Sequence, residues 1–350
     1  IRNFAILGHG SSGKTCLAES MLKVGNEITR LGKIEDGSTV SDYHPGEKTR
    51  QISIHSTPLH MEWENKKFNI IDTPGYLDFV GEALAALAVV DMAVITVDAN
   101  QGVEIGTENM WDHASKLKIP KVIVLNGLDK ENTNFDKALS EIKERFGNNV
   151  FPLQIPVNAG ESYHSNIDIL RNELIVYKKD SSGQLTEEKL PSEYEEQVNN
   201  LHQELIEYVA ESDDQLLEKY FDQGNLTEEE MRHGLHDAIQ NQVFIPLFCV
   251  SATSNIGVTR LCDFISKYGS SPEDRKSIAA NDLNGKEVTI SLDGKDTSIQ
   301  IFKTISESHI GELSLFRVYS GSIESGKDYY NSNRKKNERF GQIYILNGKK

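Results

Sequence analysis

Cysteine, positive charge and long apolar runs are all scarce in this chain of 350 residues. Its three cysteines, Cys16, Cys249 and Cys262, show no pairing or metal spacing, which excludes a disulfide framework and points to a reducing, cytoplasmic setting. The longest apolar stretch, residues 83–97, is too short for a bilayer and is broken by Asp91, so no membrane partner is expected. Lys and Arg number 37 against 53 Asp and Glu, a net charge of −16. The deficit is local: residues 158–245 hold 20 acidic and 6 basic side chains, and the remainder is nearly balanced. That segment repels free DNA and suits either a basic protein partner or a solvated helical face.

Against these absences stands Gly8-His9-Gly10-Ser11-Ser12-Gly13-Lys14-Thr15, an instance of G-x-x-x-x-G-K-[ST]. From average residue frequencies, such a match arises by chance in about one chain in a hundred of this length. An apolar run, Phe4-Ala5-Ile6-Leu7, precedes it, and Leu17, Met21 and Leu22 follow at helical spacing. The order strand, glycine loop, helix aims backbone N–H groups and a helix N-terminus at phosphate oxygens. Lys14 is expected to reach the β- and γ-phosphates and the Thr15 hydroxyl to ligate Mg²⁺. Cys16 counts among the nucleotide-contacting positions, although its thiol reads as a small buried helix residue.

Residues 1–157 alternate apolar runs (4–7, 68–71, 94–97 and 122–125) with amphipathic stretches, the pattern of a doubly wound, mostly parallel α/β sheet. Ile52, Ile54, Leu59, Met61 and Trp63 alternate, predicting an edge strand antiparallel to 68–71 across a turn at 64–67. Residues 158–245 read as a polar helical insertion, with an apolar stripe at Tyr194, Val198, Leu201, Leu205, Tyr208 and Val209 and a capping box of Thr227 with Glu230. Within it, His233 and His236 read as a solvated helix face rather than metal ligands. Residues 246–272 return to the first domain through Phe248-Cys249-Val250. From 273 to 350, alternation and glycine turns at Asp293-Gly294, Ser320-Gly321 and Ser325-Gly326 predict a β-barrel. Its core is expected from Val288, Ile290, Ile299, Ile301, Leu313, Leu315, Val318, Ile343 and Ile345. The strand pattern begins at the first residue and still runs at the last, so a trimmed part of a longer protein is expected.

Other motifs fall where strands end. Asp72-Thr73-Pro74-Gly75 follows one strand: the acid can hold Mg²⁺ through water, and the Gly75 N–H can sense a γ-phosphate. Asn126-Gly127-Leu128-Asp129 follows another, and a carboxylate there accepts two bonds from guanine but not adenine. Ser251-Ala252 follows a third, where a backbone N–H can donate to guanine O6. Their order and their places at strand C-termini point to a guanine-nucleotide site.

On these motifs the chain resembles the translational GTPases of the elongation factor G family. Asp72 through Phe79 is similar to that family's switch II, and Arg50-Gln51-Ile52-Ser53-Ile54 to the end of its switch I. Gly102-Val103-Glu104, Ser270-Ser271-Pro272, Phe316-Arg317-Val318-Tyr319-Ser320-Gly321 and Glu338-Arg339-Phe340-Gly341 match as well. The resemblance implies GTP or GDP and Mg²⁺ as ligands, Ser53 joining Thr15 and Asp72 at the metal. It implies action on the ribosome in translocation, with the acidic insertion facing the stalk protein, contact with ribosomal RNA, and a monomeric factor. Lys14, Gly75 and Tyr76 are the candidate catalytic residues. Tyr76 stands where the family carries a water-orienting histidine, Gly127 where it has a lysine, Ser11 where it has an aspartate, Gln51 where it has a glycine, and Ser53 where it has a threonine. Weakened hydrolysis is the expectation. A fully working GTPase, a ribosome protection or recycling factor, and a non-hydrolysing nucleotide-binding factor are the alternatives.

Overall fold

In the computed structural model, which describes residues 1–282, 284–307 and 311–348, the chain divides into two compact units. The first comprises Ile1–Ser270 together with Gly348, the second Ser271–Asn347.

The first unit begins β1 (Arg2–Leu7), α1 (Lys14–Val24), α2 (Pro45–Arg50), β2 (Thr57–Trp63), β3 (Lys66–Asp72), α3 (Val80–Leu87), β4 (Met92–Asp98), α4 (Ile105–Lys116), β5 (Lys121–Asn126), α5 (Phe135–Phe146) and β6 (Val150–Pro152). It continues with β7 (Gln154–Val157), β8 (Ser165–Asp168), β9 (Glu173–Tyr177), β10 (Leu185–Lys189), α6 (Glu195–Ala210), α7 (Asp214–Gln223), α8 (Glu228–Gln240), β11 (Ile245–Val250) and α9 (Val258–Tyr268). A seven-stranded sheet runs in the order β2-β3-β1-β4-β5-β11-β6. Every pairing is parallel except that of β2 with β3. Strands β4, β5 and β11 are buried along their whole length, as expected of a sheet with helices on both faces. Phe4 of β1 meets Phe68 of β3 edge to face, with ring centroids 5.8 Å apart. Because the parallel strands share one direction, the ends of β1, β3, β4, β5 and β11 open on one edge.

Three expectations change here. Ile52 and Ile54 lie outside β2, which starts at Thr57; Gln51 takes a left-handed conformation (φ 56°) as α2 ends, so the alternation cannot propagate. The insertion is not purely helical. Before its helices comes a four-stranded antiparallel sheet ordered β10-β9-β8-β7, in which Ile167, Ile175 and Tyr177 are buried. Its strands are only four or five residues long, too short for their alternation to stand out among polar neighbours. The capping box of Thr227 and Glu230 does open α8, and His233 is exposed, but His236 turns inward and bonds through Nδ1 to the Tyr268 carbonyl at 3.0 Å.

The second unit is β-rich: β12 (Ser277–Asn281) pairs with β13 (Glu287–Ser291), β14 (Ser298–Glu307) with β15 (Gly311–Ser320), and β16 (Asp328–Asn331) with β17 (Lys336–Arg339). Among the described residues these are two-stranded ladders, which make the second unit β-rich as expected. Several of the predicted core residues are partly open: Ile301 is 50% exposed, Ile345 72%, and Val288 and Leu313 are half-buried. Asp293-Gly294 connects β13 to β14, which do not pair, so it is not a hairpin turn.

Arg260 of α9 braces the insertion. Its side chain is 6% exposed and contacts Glu173 of β9 at 2.9 Å, Asp263 at 3.3 Å, and Glu187 of β10. Burial pushes the nearby Asp168 carboxyl up to about 6 despite the opposing charge of Arg260. Arg260→Ala removes the buried cation and leaves Glu173 and Glu187 only Arg171, at 3.6 and 3.3 Å, so it is expected to cost about 1.5–3 kcal/mol in urea unfolding. A loss under about 1 kcal/mol would show that solvent already screens the cluster.

Candidate functional site

The phosphate loop, from Gly8 through Gly10 to Gly13, links β1 to α1. Gly13 sits at φ 88°, and a Cβ there would collide with the Asn126 amide, so glycine is required twice over. Ser11 is also left-handed, at φ 65°. Asn126, at the end of β5, donates through Nδ2 to the Ser12 carbonyl at 3.0 Å and accepts through Oδ1 from the Ala252 N–H at 2.9 Å. One side chain therefore ties the phosphate loop to the loop after β11. Ser251 and Ile256 exchange backbone hydrogen bonds of 3.0 and 2.9 Å to close that second loop, and Ser20 donates to the Ala252 carbonyl. The Asp129 carboxylate accepts from Ser254 Oγ at 3.1 Å. Asn126, Asp129, Ser251 and Ala252 thus come together where β5 and β11 end.

Lys14 is 5% exposed and donates from Nζ to the His9 carbonyl at 2.6 Å. Burial lowers its pKa to about 8, against the pull of Asp72, Asp42 and Glu104. Phosphate oxygens in this loop would raise it again by stabilising the charged form. The His9 backbone N–H donates to Thr107 Oγ1 at 3.3 Å, and its ring Nδ1 accepts from the Gly106 N–H at 3.2 Å. Gly75 lies directly on Lys14 and Gly10. The Tyr76 ring covers Gly10 so closely that a Cβ there would stand 2.8 Å from Cζ, and its centroid is 6.3 Å from that of His9. Lys14, Gly75 and Tyr76 converge. The Cys16 thiol, pushed up to about 11 by burial and Asp72, stays a neutral helix side chain.

Oxygen donors cluster beside Lys14. Thr15 Oγ1 donates to Asp72 Oδ2 at 2.7 Å and lies 3.1 Å from Ser53 Oγ, while Ser41 Oγ also donates to Asp72 Oδ2 at 2.6 Å. Asp72 is 1% exposed, its Oδ1 has no partner, and burial holds its carboxyl above the usual range against the Ser41 and Thr15 bonds. A small hard cation fits this all-oxygen set and would take up the free oxygen. Sequence reasoning missed the residues that shape the approach to it. Glu47, 1% exposed, accepts from the backbone of His44, Ile54 and His55 at 3.1, 3.0 and 3.0 Å, and Glu19 accepts from Gly32 at 2.9 Å and from Val40. Both are charged residues in polar or helical stretches, where only burial would have marked them.

Residues 1–271 match the family model of the elongation factor Tu GTP binding domain, and residues 296–350 that of elongation factor G domain 2. The crystal structure of ttk003000868 from Thermus thermophilus is similar at a TM-score of 0.88 and 28% identity, covering 100% of this chain and 50% of that one. The chain thus spans half the length of that protein. It belongs to the translational GTPases that carry the elongation factor Tu GTP binding domain.

Lys14→Ala is expected to abolish tight GTP binding, whereas Cys16→Ser leaves it nearly intact, as titration with a fluorescent GTP analogue would read. If Lys14→Ala binds like the wild type, the loop does not hold the phosphates. Asp129→Asn should shift preference from guanine toward xanthine nucleotides by about tenfold or more, since one lost charged hydrogen bond is worth about 1.5–3 kcal/mol. Equal competition by ATP and GTP for the unaltered protein would remove Asp129 from base recognition.

Proposed function

We propose that this chain is the GTP-binding part of an elongation factor G-type factor, a cytoplasmic monomer that acts on the ribosome in translocation and hydrolyses GTP slowly. The observation that carries the reading is the convergence, at one sheet edge, of Lys14, Gly75, the Thr15–Asp72–Ser53 cluster and the Asn126-braced base loops. The match of residues 296–350 to elongation factor G domain 2 supports the choice of family.

Gly8, His9, Gly10, Ser11, Ser12 and Gly13 would surround the phosphates with backbone donors, and Lys14 would turn from the His9 carbonyl to phosphate oxygens. Thr15, Ser53 and Asp72 would hold Mg²⁺, which neutralises phosphate charge when bound. Asp129 would read the guanine edge while Ala252 N–H, already aligned by Asn126, faces the base. Gly75 N–H would approach the γ-phosphate. Tyr76, in place of an imidazole, would position water through its hydroxyl alone. Slow hydrolysis follows from that substitution and from the ring's close seat on Gly10.

Ribosome-stimulated GTP turnover by the full-length protein tests this reading. Tyr76→His is expected to raise turnover about tenfold or more, a partial recovery of the 10²–10⁴-fold that a placed acid–base group contributes. If Tyr76→Phe lowers turnover and Tyr76→His does not raise it, the phenol positions the water as well as an imidazole would and the protein is a full GTPase. If neither variant changes turnover, Tyr76 does not face the reacting water.

The partners proposed for the acidic insertion and its neighbours are the ribosomal stalk protein and ribosomal RNA. Glu228 and Glu229 are exposed in the first turn of α8, whereas Glu230 accepts from Thr227 N at 2.9 Å and pairs with Lys219. Reversing Glu228 and Glu229 to Lys, with Glu230 kept for the cap, should slow ribosome association at low salt and matter less at high salt. Equal association rates at low salt would assign these acids to solubility.

A further inference from the structure

The loop after β5 has a bare position, and a neighbouring side chain lies across it. Between Asn126 and Asp129, Leu128 packs into the core, while Gly127 takes a left-handed φ of 81° and has no side chain to offer a ligand. The Lys130 N–H donates to the Gly127 carbonyl at 3.0 Å, which turns the chain back on itself. The Lys130 side chain then runs over Gly127: a Cβ built there would stand 3.1 Å from Lys130 Cε and 3.3 Å from Cδ. Beyond the stem, the ammonium meets Asp98 Oδ2 at 2.5 Å, where β4 ends. Asp98 is 3% exposed and is itself fixed, since its Oδ1 accepts from the N–H groups of Asn100 and Gln101 at 2.9 and 3.2 Å. The Lys130 side chain is still 52% exposed. A methylene stem stretched from a tight turn to a buried carboxylate, with half its surface open, forms an apolar platform beside the base-reading groups.

We infer that the Lys130 stem, anchored through its ammonium on Asp98, covers one face of the guanine ring and so supplies from residue 130 the contact that a glycine at residue 127 cannot make. The inference rests on the proposed reading of Asp129 and the Ala252 N–H as the base-reading groups. Hydrogen bonds at a ring's edge set the plane of a flat base but leave its faces to water. Methylenes laid against one face take that apolar surface out of solvent. The ion pair holds the stem in place before nucleotide arrives, so little side-chain freedom is lost on binding.

The test is calorimetric titration of GDP into the chain and into two variants that both take the ammonium from Asp98 but differ in the stem. Lys130→Ala should weaken GDP binding about tenfold, the worth of about two buried methylenes. Lys130→Met, which keeps an unbranched stem, should stay within about threefold of the wild type. Inorganic triphosphate, which has phosphates and no base, should bind all three proteins alike. Nuclear magnetic resonance of the chain with isotope-labelled lysine adds a spectroscopic reading. The methylene signal that Lys130→Met removes should move upfield under the ring current of bound GDP and stay in place with inorganic triphosphate. If Lys130→Met loses as much affinity as Lys130→Ala, the ion pair rather than the stem carries the effect, and the inference is overturned. A lysine signal that GDP does not move overturns it as well, while leaving Asp129 as the base reader. If Asp129→Asn still prefers GDP to xanthosine diphosphate as the wild type does, the base site itself falls and this inference with it.

Discussion

The Asn126 side chain holds the site together. Strands β1, β5 and β11 arrive at one edge of the sheet by separate routes, and their loops have no backbone ladder to align them. The amide bridges this gap by donating to Ser12 and accepting from Ala252, both buried. A phosphate-binding loop and a base-reading loop must keep a fixed separation if one rigid ligand is to touch both. A buried amide with both ends engaged sets that separation more firmly than apolar packing, since any slip leaves two polar groups unpaired. The left-handed Gly13 follows from it, because the amide occupies the space a side chain would need.

The insertion reaches the same loops from behind. Tyr163 Oη and Asn166 Nδ2 both donate to the Cys249 carbonyl, at 3.0 and 2.9 Å, just before Ser251. Asn255 donates to the Ser181 carbonyl at 3.2 Å and Thr259 to that of Gly183 at 2.6 Å, so the turn between β9 and β10 rests on the loop that carries Ala252. The Arg260 cluster secures β9 and β10 from the other side. The base loop therefore takes its shape partly from a segment that touches no nucleotide in the proposed reading.

Much of this was legible in the sequence, and for a physical reason. Buried parallel strands must be continuously apolar, and glycine loops must sit where those strands end, so β1, β3, β4, β5 and β11 and their motifs could be read in order. The four-stranded sheet of the insertion was not legible, because Ile167 and Ile175 alternate over too few residues to exceed the polar background. Nor were Glu19 and Glu47: an acid that accepts backbone donors looks like any surface acid until the chain folds over it. Ile52 and Ile54 misled because their alternation ends at a left-handed Gln51 that no periodicity reveals. Tyr76 was found by its place in a motif, but its contact with Gly10 was not. That pairing needs a glycine at residue 10, whose lack of a side chain carries no signal of its own.

The acidity of the insertion divides along the same line between structure and contact. Glu173 and Glu187 meet Arg260, and Glu230, lowered to about 2 by Lys219 and the Thr227 cap, closes the first turn of α8. These acids are committed to the fold and their charge is compensated locally. Glu228 and Glu229 share that first turn, where the helix dipole tolerates negative charge, yet the cap does not need them. Uncompensated charge on an ordered helix keeps its long-range field, whereas paired charge does not. The part of the −16 that can steer a partner is therefore smaller than the composition suggests, and it sits on helices whose positions the buried face of the insertion fixes.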